Sequence, residues 1–327
     1  MDAIIEEWFA QRTWQEPPWT VEELVAAKAG RRVAVVLPAL DEEATVGTIV
    51  AAIRPLTQGS VPLVDELVVV DSGSTDRTVE VAAAAGARVV LRTDVLPELA
   101  PVPGKGEVLW RSLAATTSDI VCYLDSDLVD FDPAFVPALL GPLLTASGVH
   151  LVKGFYRRPL RLETTQADTG GGRVTELLAR PLINLLWPEL AGIVQPLSGE
   201  YAGRRDTLEQ VPFFSGYGVE LGLLVDIAAR FGVDGIAQVD LDRRVHRNQD
   251  MQALGRMSFG ILQAVFLRLA EEGRSVPGNY GTTLVQFSNQ LYEYQPEPRE
   301  IVTTRRPPIV TVDDYRRRRA DPVAASE

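Results

Sequence analysis

The chain has 327 residues, 46% hydrophobic and 23% charged, with a formal net charge of −12. These proportions supply a full globular core and exclude general disorder. The acidic balance repels nucleic-acid phosphates and anionic lipid, so neither is expected as a partner, and an anionic ligand would need placed cations or a metal.

Cys122, the single cysteine, lies in the apolar run Ile120 to Leu124. It excludes an internal disulfide and a cysteine zinc site, and it reads as a buried structural thiol. Met1 to Glu7 is acidic and lacks the basic and apolar parts of a secretion signal. The apolar stretch Pro181 to Leu197 is broken by Asn184, Pro188, Glu189, Gln195 and Pro196, so no membrane span is expected there. A cytoplasmic protein is the expectation.

In chain order, residues 1–30 read as an arm plus a short helix. Thr20 with Glu23 is a capping-box signal ahead of Leu24 to Ala27, and Gly30 stops the helix. Residues 31–150 then alternate. Strands are expected over Arg32 to Leu37, Glu66 to Val70, Ala87 to Leu91 and Ile120 to Leu124. Helices are expected over Glu42 to Arg54, Thr75 to Ala85, Lys105 to Thr116 and Pro133 to Thr145. Short apolar strands alternating with helices predict an α/β fold with a mostly parallel sheet covered on both faces. In residues 151–294 the pattern loosens. A strand is expected over Val149 to Tyr156, helices over Val174 to Leu186, Gly218 to Phe231 and Met251 to Glu271, and a strand over Gly235 to Val239. Residues 295–327, rich in proline and charge and ending in Arg316 to Arg319, read as a flexible tail.

Ligands of an open parallel sheet bind beyond the carboxyl ends of its strands. Those ends carry Pro38-Ala39-Leu40-Asp41-Glu42-Glu43, Asp71-Ser72-Gly73-Ser74-Thr75-Asp76 and Asp125-Ser126-Asp127. Helix capping accounts for Asp41, Ser74 or Asp76 taken singly. It accounts less well for Asp125-Ser126-Asp127, since the next helix starts only near Pro133; two carboxylates one residue apart suit a hard divalent cation and a ribose. Lys105, between Gly104 and Gly106, reads as a donor contact held by flexible glycines, and the Walker-loop pattern does not fit it. Gly170 to Arg173 before a helix has the design of an anion site: close backbone approach, a helix amino terminus and a guanidinium fork. His150 reads as structural. His246, between Arg244 and Arg247, stands in a polar segment where it could complete a metal site with Asp127, although its residues alone do not favour that role.

The ordered trio of acidic rim motifs resembles the nucleotide-sugar half of GT-A glycosyltransferases. Pro103-Gly104-Lys105-Gly106-Glu107 with Trp110-Arg111-Ser112, Gly170 to Glu176, Gly216-Tyr217-Gly218-Val219-Glu220 and Val245-His246-Arg247-Asn248 extend the match. The set resembles the glucosyl-3-phosphoglycerate synthase family of actinobacteria, from about Trp14 to about Glu271. The resemblance implies a GT-A fold, a homodimer, and retaining transfer from a nucleotide-diphosphate sugar to the 2-hydroxyl of 3-phosphoglycerate with Mg²⁺ or Mn²⁺. It implies donor contacts from Pro38, Ala39, Leu40, Asp41, Glu42, Ser72, Lys105, Asp125, Ser126, Tyr217, Gly218, Val219, Glu220, Arg244 and Arg247. Acceptor contacts would come from Gly172, Arg173, Val174, Thr175 and Asn248, metal ligation from Asp127 and His246, and catalysis from Glu220, Asp127 and Lys105. UDP-glucose is the favoured donor. Mannosyl transfer from GDP-mannose stays open, as does, from another class, a sugar-nucleotidyltransferase. The latter would carry a glycine-rich basic loop where Pro38 to Glu43 stands.

Overall fold

The computed structural model describes residues 3–129, 131–157, 160–162, 165–167, 172–243, 251–275, 282–290 and 293–320. Its strands are β1 (Thr13–Trp14), β2 (Val33–Ala39), β3 (Glu66–Asp71), β4 (Arg88–Leu91), β5 (Ile120–Tyr123), β6 (Leu151–Arg157), β7 (Leu160–Leu162) and β8 (Thr165–Ala167). They continue with β9 (Tyr201–Arg204), β10 (Phe213–Phe214), β11 (Ile236–Arg243), β12 (Thr283–Gln290), β13 (Glu293–Glu300) and β14 (Arg305–Arg306). Eight of them form one sheet in the order β1-β11-β6-β9-β5-β2-β3-β4. All its pairings are parallel except those of β9, which runs antiparallel between β5 and β6.

The continuous apolar runs of β2 and β5 follow from burial on both faces. Val33, Val35 and Leu37 of β2 face a cluster with Ile49, Val50 and Leu139. Val36 faces the other cluster, with Trp110, Tyr123, Tyr201 and Phe213. The capping box at Thr20 is present, with Glu23 N–H donating to Thr20 Oγ1 and Thr20 N–H to Glu23 Oε2. The α/β reading of residues 31–150 therefore matches the architecture, and Met251–Glu271 forms the helix expected there.

Some boundaries differ for local reasons. The helices expected from Glu42 and Thr75 begin only at Val46 and Thr78, because the residues after β2 and β3 first form interlocked turns. Ala3–Arg12 is helical where an arm is expected, and β1 and β9 are additional strands. Met251–Glu271, rather than Pro181 to Leu197, is the described helix whose length and composition would suffice to cross a membrane. It buries Gly260, Ile261, Ala264, Val265 and Leu269 within the protein.

The expectation of a flexible tail from residue 295 needs correction for its described part. β13 pairs with β12, β14 pairs with β10, and Tyr315 is buried against Arg205 and Glu209. Proline and arginine give this segment a solvated look, but Arg305 and Arg306 end on the buried carboxylates of Asp226 and Glu107.

Candidate active site

The three rim motifs meet at the carboxyl ends of β2, β3 and β5, and they lock one another. Asp71 turns its carboxylate back onto its own loop, accepting from Gly73 N–H at 2.8 Å, Ser74 N–H at 3.0 Å and Ser74 Oγ at 2.5 Å. Asp41 does not cap the following helix. It takes a left-handed backbone, φ 56°, and its carboxylate accepts from Thr75 N–H at 2.7 Å while its own N–H donates to Ser74 Oγ. Glu42 N–H donates to Thr78 Oγ1, and Glu43 N–H to Asp76 Oδ2. A positive φ on a non-glycine residue persists only where the surroundings hold it, and here six hydrogen bonds or more from two loops do so.

Ser126 is 5% exposed and its hydroxyl donates to Pro38 O at 2.6 Å, while its carbonyl accepts from Thr45 Oγ1. Its side chain thus ties the end of β5 to β2. Ala39 is buried, Leu40 is exposed, and Ser72 N–H donates to Ala39 O. Asp127 follows on the same rim, beside the half-buried Asp125.

Lys105 is the charge centre. Its Nζ lies 2.5 Å from Asp125 Oδ1 and 3.1 Å from Glu220 Oε1. Burial alone would lower its pKa, but the Asp125 and Glu220 carboxylates outweigh that and hold the ammonium well above the ordinary lysine value. The flanking glycines serve close packing rather than flexibility. A Cβ on Gly106 would sit 1.8 Å from Phe214 O, and one on Gly104, φ 116°, would sit 2.3 Å from Ser215 O. Glu107 N–H donates to Ser215 O, so the first turn of the Lys105–Ala115 helix lies directly on the segment after β10.

That segment leads to Gly218 and the Val219–Phe231 helix, which presents Glu220 in its first turn. A Cβ on Gly218 would lie 2.3 Å from Ala264 Cβ, so glycine is required where this helix meets Met251–Glu271. Val219 is fully buried and packs into the core, whereas Tyr217 is 45% exposed at the rim. Residues 301–320 act as a strap across both helices. Arg306 donates to Glu107, Arg305 pairs with Asp226, and Ser215 N–H donates to Thr304 O.

Gly172 has φ 79° and opens the helical segment beginning at Arg173, with Glu176 N–H donating to Gly172 O. Val174 and Thr175 are buried, and residues Thr175–Ala179 form a π-helical turn before Arg180–Leu186. Gly170, Arg244, His246, Arg247 and Asn248 lie outside the described residues. Among the described residues no group of three or more His, Cys, Asp or Glu side chains is arranged to hold a metal. Of the two residues expected to hold a metal, only Asp127 is described, and its carboxylate could supply a hard oxygen ligand. His150 is structural as expected: its Nδ1 lies 2.8 Å from Thr207 Oγ1 and its ring stacks on Phe231. Burial pushes the Cys122 thiol well up, in keeping with an inert core residue.

Residues 34–191 match the model of glycosyl transferase family 2. The glucosyl-3-phosphoglycerate synthase of Mycolicibacterium smegmatis is 55% identical over 305 residues, covering 93% of this chain and 98% of the relative. The chain belongs to the glucosyl-3-phosphoglycerate synthase family. The synthase of Petrotoga mobilis is 43% identical over 302 residues, covering 90% of this chain and 92% of that one. A crystal structure of the Mycobacterium tuberculosis synthase with Mn²⁺, UDP-glucose and phosphoglyceric acid aligns at TM-score 0.80 and 51% identity, covering 91% of this chain and 97% of that one. Another from the same organism, with Mg²⁺ and UDP, aligns at TM-score 0.81 and 50% identity, covering 92% and 98%. The fold is accordingly the GT-A fold of this family.

Four charged or polar groups beneath Lys105 escape sequence reasoning: Lys153, Ser198, Glu200 and Tyr201. Glu200 is fully buried and accepts from Ser198 Oγ at 3.0 Å. Tyr201 is buried, and its hydroxyl has no hydrogen-bond partner among the described residues. Lys153 and Glu200 could have been suspected as charges inside apolar surroundings, but β9 is too short to show a pattern.

Proposed function

We propose that this chain moves glucose from UDP-glucose to the 2-hydroxyl of 3-phosphoglycerate, with retention at the anomeric carbon, giving glucosyl-3-phosphoglycerate. The observation that carries the reading is the Asp125–Lys105–Glu220 group at the carboxyl ends of the strands. One cation between two carboxylates, one on each side of the crevice, suits a neutral sugar joined to an anionic diphosphate. Asp125, Ser72 and the backbone of Pro38, Ala39, Leu40, Asp41, Glu42 and Ser126 would hold the nucleoside. Lys105, Tyr217, Gly218, Val219, Glu220, Arg244 and Arg247 would surround the diphosphate and sugar.

The acceptor's phosphate and carboxylate would sit on Gly172, Arg173, Val174, Thr175 and Asn248. A helix amino terminus and a guanidinium there offset the acidic field of a chain with net charge −12. Mg²⁺ or Mn²⁺ held by Asp127 and His246 would neutralise charge on the departing nucleotide. Lys105 would keep the sugar-bearing end of the donor in place, and Glu220 would orient the sugar hydroxyls.

The segment Pro38 to Glu43, without glycine or cation, speaks against a nucleotidyltransferase, which must cradle a triphosphate. The chain would work in the cytoplasm, with no nucleic-acid or membrane partner. It would work as a homodimer supported by the Met251–Glu271 helix, whose residues 252–259 are only half-buried within one chain. A panel of UDP-glucose, GDP-glucose and GDP-mannose against 3-phosphoglycerate, read by nucleotide release and product mass, tests the reaction. Preferred release of GDP with a mannosyl product would overturn it, and a monomer by light scattering would overturn the dimer.

A further inference from the structure

We propose that Lys153 is a positioning residue for the Asp125–Lys105–Glu220 group, acting by clamping the Ser198–Glu200 turn beneath it. The inference rests on the reading that this group holds the sugar donor.

Lys153 lies on β6 opposite Tyr201 of β9 and is 2% exposed. Its Nζ donates to Ser198 O at 2.5 Å and stands 4.6 Å from the centre of the Tyr201 ring. The next residue, Gly154, donates its N–H to Glu200 O at 2.8 Å. β6 therefore grips the turn from both ends, once by a side chain and once by backbone. Within the turn, Ser198 Oγ donates to Glu200 Oε2.

The turn is also the backstop of Asp125. A Cβ on Gly199 would fall 2.2 Å from Asp125 Oδ2 and 2.4 Å from Oδ1, so the Gly199 backbone lies flat against that carboxylate. Asp125 in turn holds Lys105, which holds Glu220. The contacts run without a gap from Lys153 through Ser198 and Gly199 to the charge centre.

Electrostatics point the same way. A buried ammonium is costly unless paired or hydrogen-bonded, and a methionine would fill the same space without that cost. The charges facing Lys153 are Glu220, Glu200 and Asp125, which favour the cation, and Lys105, which opposes it. A second cation under three carboxylates limits their mutual repulsion, so that Asp125 and Glu220 can both stay on Lys105. Placement of charged groups of this kind acts on the transfer step more than on the affinity for the donor.

The test compares Lys153→Met, Gly199→Ala and Lys105→Ala with the wild type. It uses single-turnover glucosyl transfer, UDP-glucose affinity by calorimetry with Mg²⁺ present, and thermal stability. For Lys153→Met, transfer should slow at least about tenfold while UDP-glucose affinity changes less than about threefold, the split expected of misplacement rather than lost binding. Gly199→Ala crowds Asp125 from the same turn and should give the same split. If Lys153→Met does not fold, Gly199→Ala decides, and a wild-type rate in it overturns the inference. Transfer within about twofold of wild type in folded Lys153→Met overturns it, as does a joint fall of rate, donor affinity and melting temperature, which marks a merely structural role. A wild-type rate in Lys105→Ala would instead overturn the reading of the donor site itself.

Discussion

Arg306 donates to both carboxylate oxygens of Glu107, at 2.7 and 2.9 Å, and so fastens the strap to the first turn of the helix that opens with Lys105. Glu107 is fully buried and also accepts from Arg111 Nε at 2.7 Å, so one carboxylate serves two guanidinium groups. Arg306 lies over the Trp110 ring as well, and Trp110 Nε1 donates to Pro307 O.

Replacing Arg306 by alanine removes two charge-assisted hydrogen bonds but leaves Glu107 its second partner. The expected loss of stability is about 2 kcal/mol, within the range for hydrogen bonds to charged groups, and urea unfolding would measure it. Turnover should fall with it, since Lys105 loses the anchor of its helix turn. Unchanged stability and turnover would show the strap to be dispensable for the site.

Asp127 follows Asp125 by two residues on the rim of β5. Asp127→Asn keeps size and polarity while removing the charge that a hard cation needs. Turnover should drop at least about a hundredfold, as expected when charge stabilisation of several kcal/mol is lost in an enclosed site. Chelation of the wild-type protein should do the same, and added Mn²⁺ or Mg²⁺ should reverse it. Full turnover in excess chelator would refute the assignment.

Arg173 opens a helical segment behind Gly172, apart from the Lys105 group in sequence and element. Arg173→Ala should raise the KM for 3-phosphoglycerate and leave UDP-glucose binding nearly unchanged. The loss of a bidentate charge-assisted contact is worth about 1.5–3 kcal/mol, or roughly ten- to a hundredfold in apparent affinity. Steady-state kinetics with each substrate varied would check it. An equal loss for the donor would place Arg173 elsewhere.

The rim was legible in the sequence because each buried strand is a continuous apolar run whose end is marked by an acidic residue, as Val70 gives way to Asp71 and Leu124 to Asp125. What those side chains do there was less legible. Asp71 spends its carboxylate on backbone N–H groups of its own loop, and Asp41 spends its own on Thr75 N–H, a contact that depends on two loops 34 residues apart meeting. The strap was hidden for the same reason. Arg306 and Glu107 lie 199 residues apart, so local composition shows only an exposed basic end. β9 carries four residues, including Gly203, and shows no alternation, so Lys153 and Tyr201 could not be placed opposite each other from periodicity.

Lys153 also makes stability depend on pH. Burial pushes its pKa down from 10.5 to about 8. Below that pH both folded and unfolded chains carry the proton, and the cost of burying the charge is present in full. Between about 8 and 10.5 the unfolded chain still binds the proton while the folded chain releases it, so folding stability contributed by this group rises with pH. The wild type should therefore gain on Lys153→Met as pH rises from 8 towards 10, by up to about 1.4 kcal/mol per pH unit. Urea unfolding of both proteins at three pH values would check this. A stability difference independent of pH would mean that Lys153 titrates at its ordinary value.

The stereochemical course tests the orienting role proposed for Glu220. Retention with a covalent intermediate requires a carboxylate free to attack the anomeric carbon from the far face of the sugar. Glu220 is 5% exposed, and its Oε1 lies 3.1 Å from the Lys105 ammonium, a contact that draws electron density away from the nucleophile that route needs. The same contact suits an orienting role, with the carboxylate fixed by Lys105 at one oxygen and turned to sugar hydroxyls at the other. In that course the acceptor hydroxyl attacks on the face from which the diphosphate departs, and a phosphate oxygen of the leaving group takes the proton. Glu220→Gln preserves size and hydrogen bonding and should keep measurable transfer, slowed by about ten- to a hundredfold through loss of the charged contact to Lys105, with an α-linked product. NMR of the product and intact-protein mass spectrometry of the wild type during turnover would check both points. A glucosyl adduct on Glu220, or a β-linked product, would rule out the orienting role.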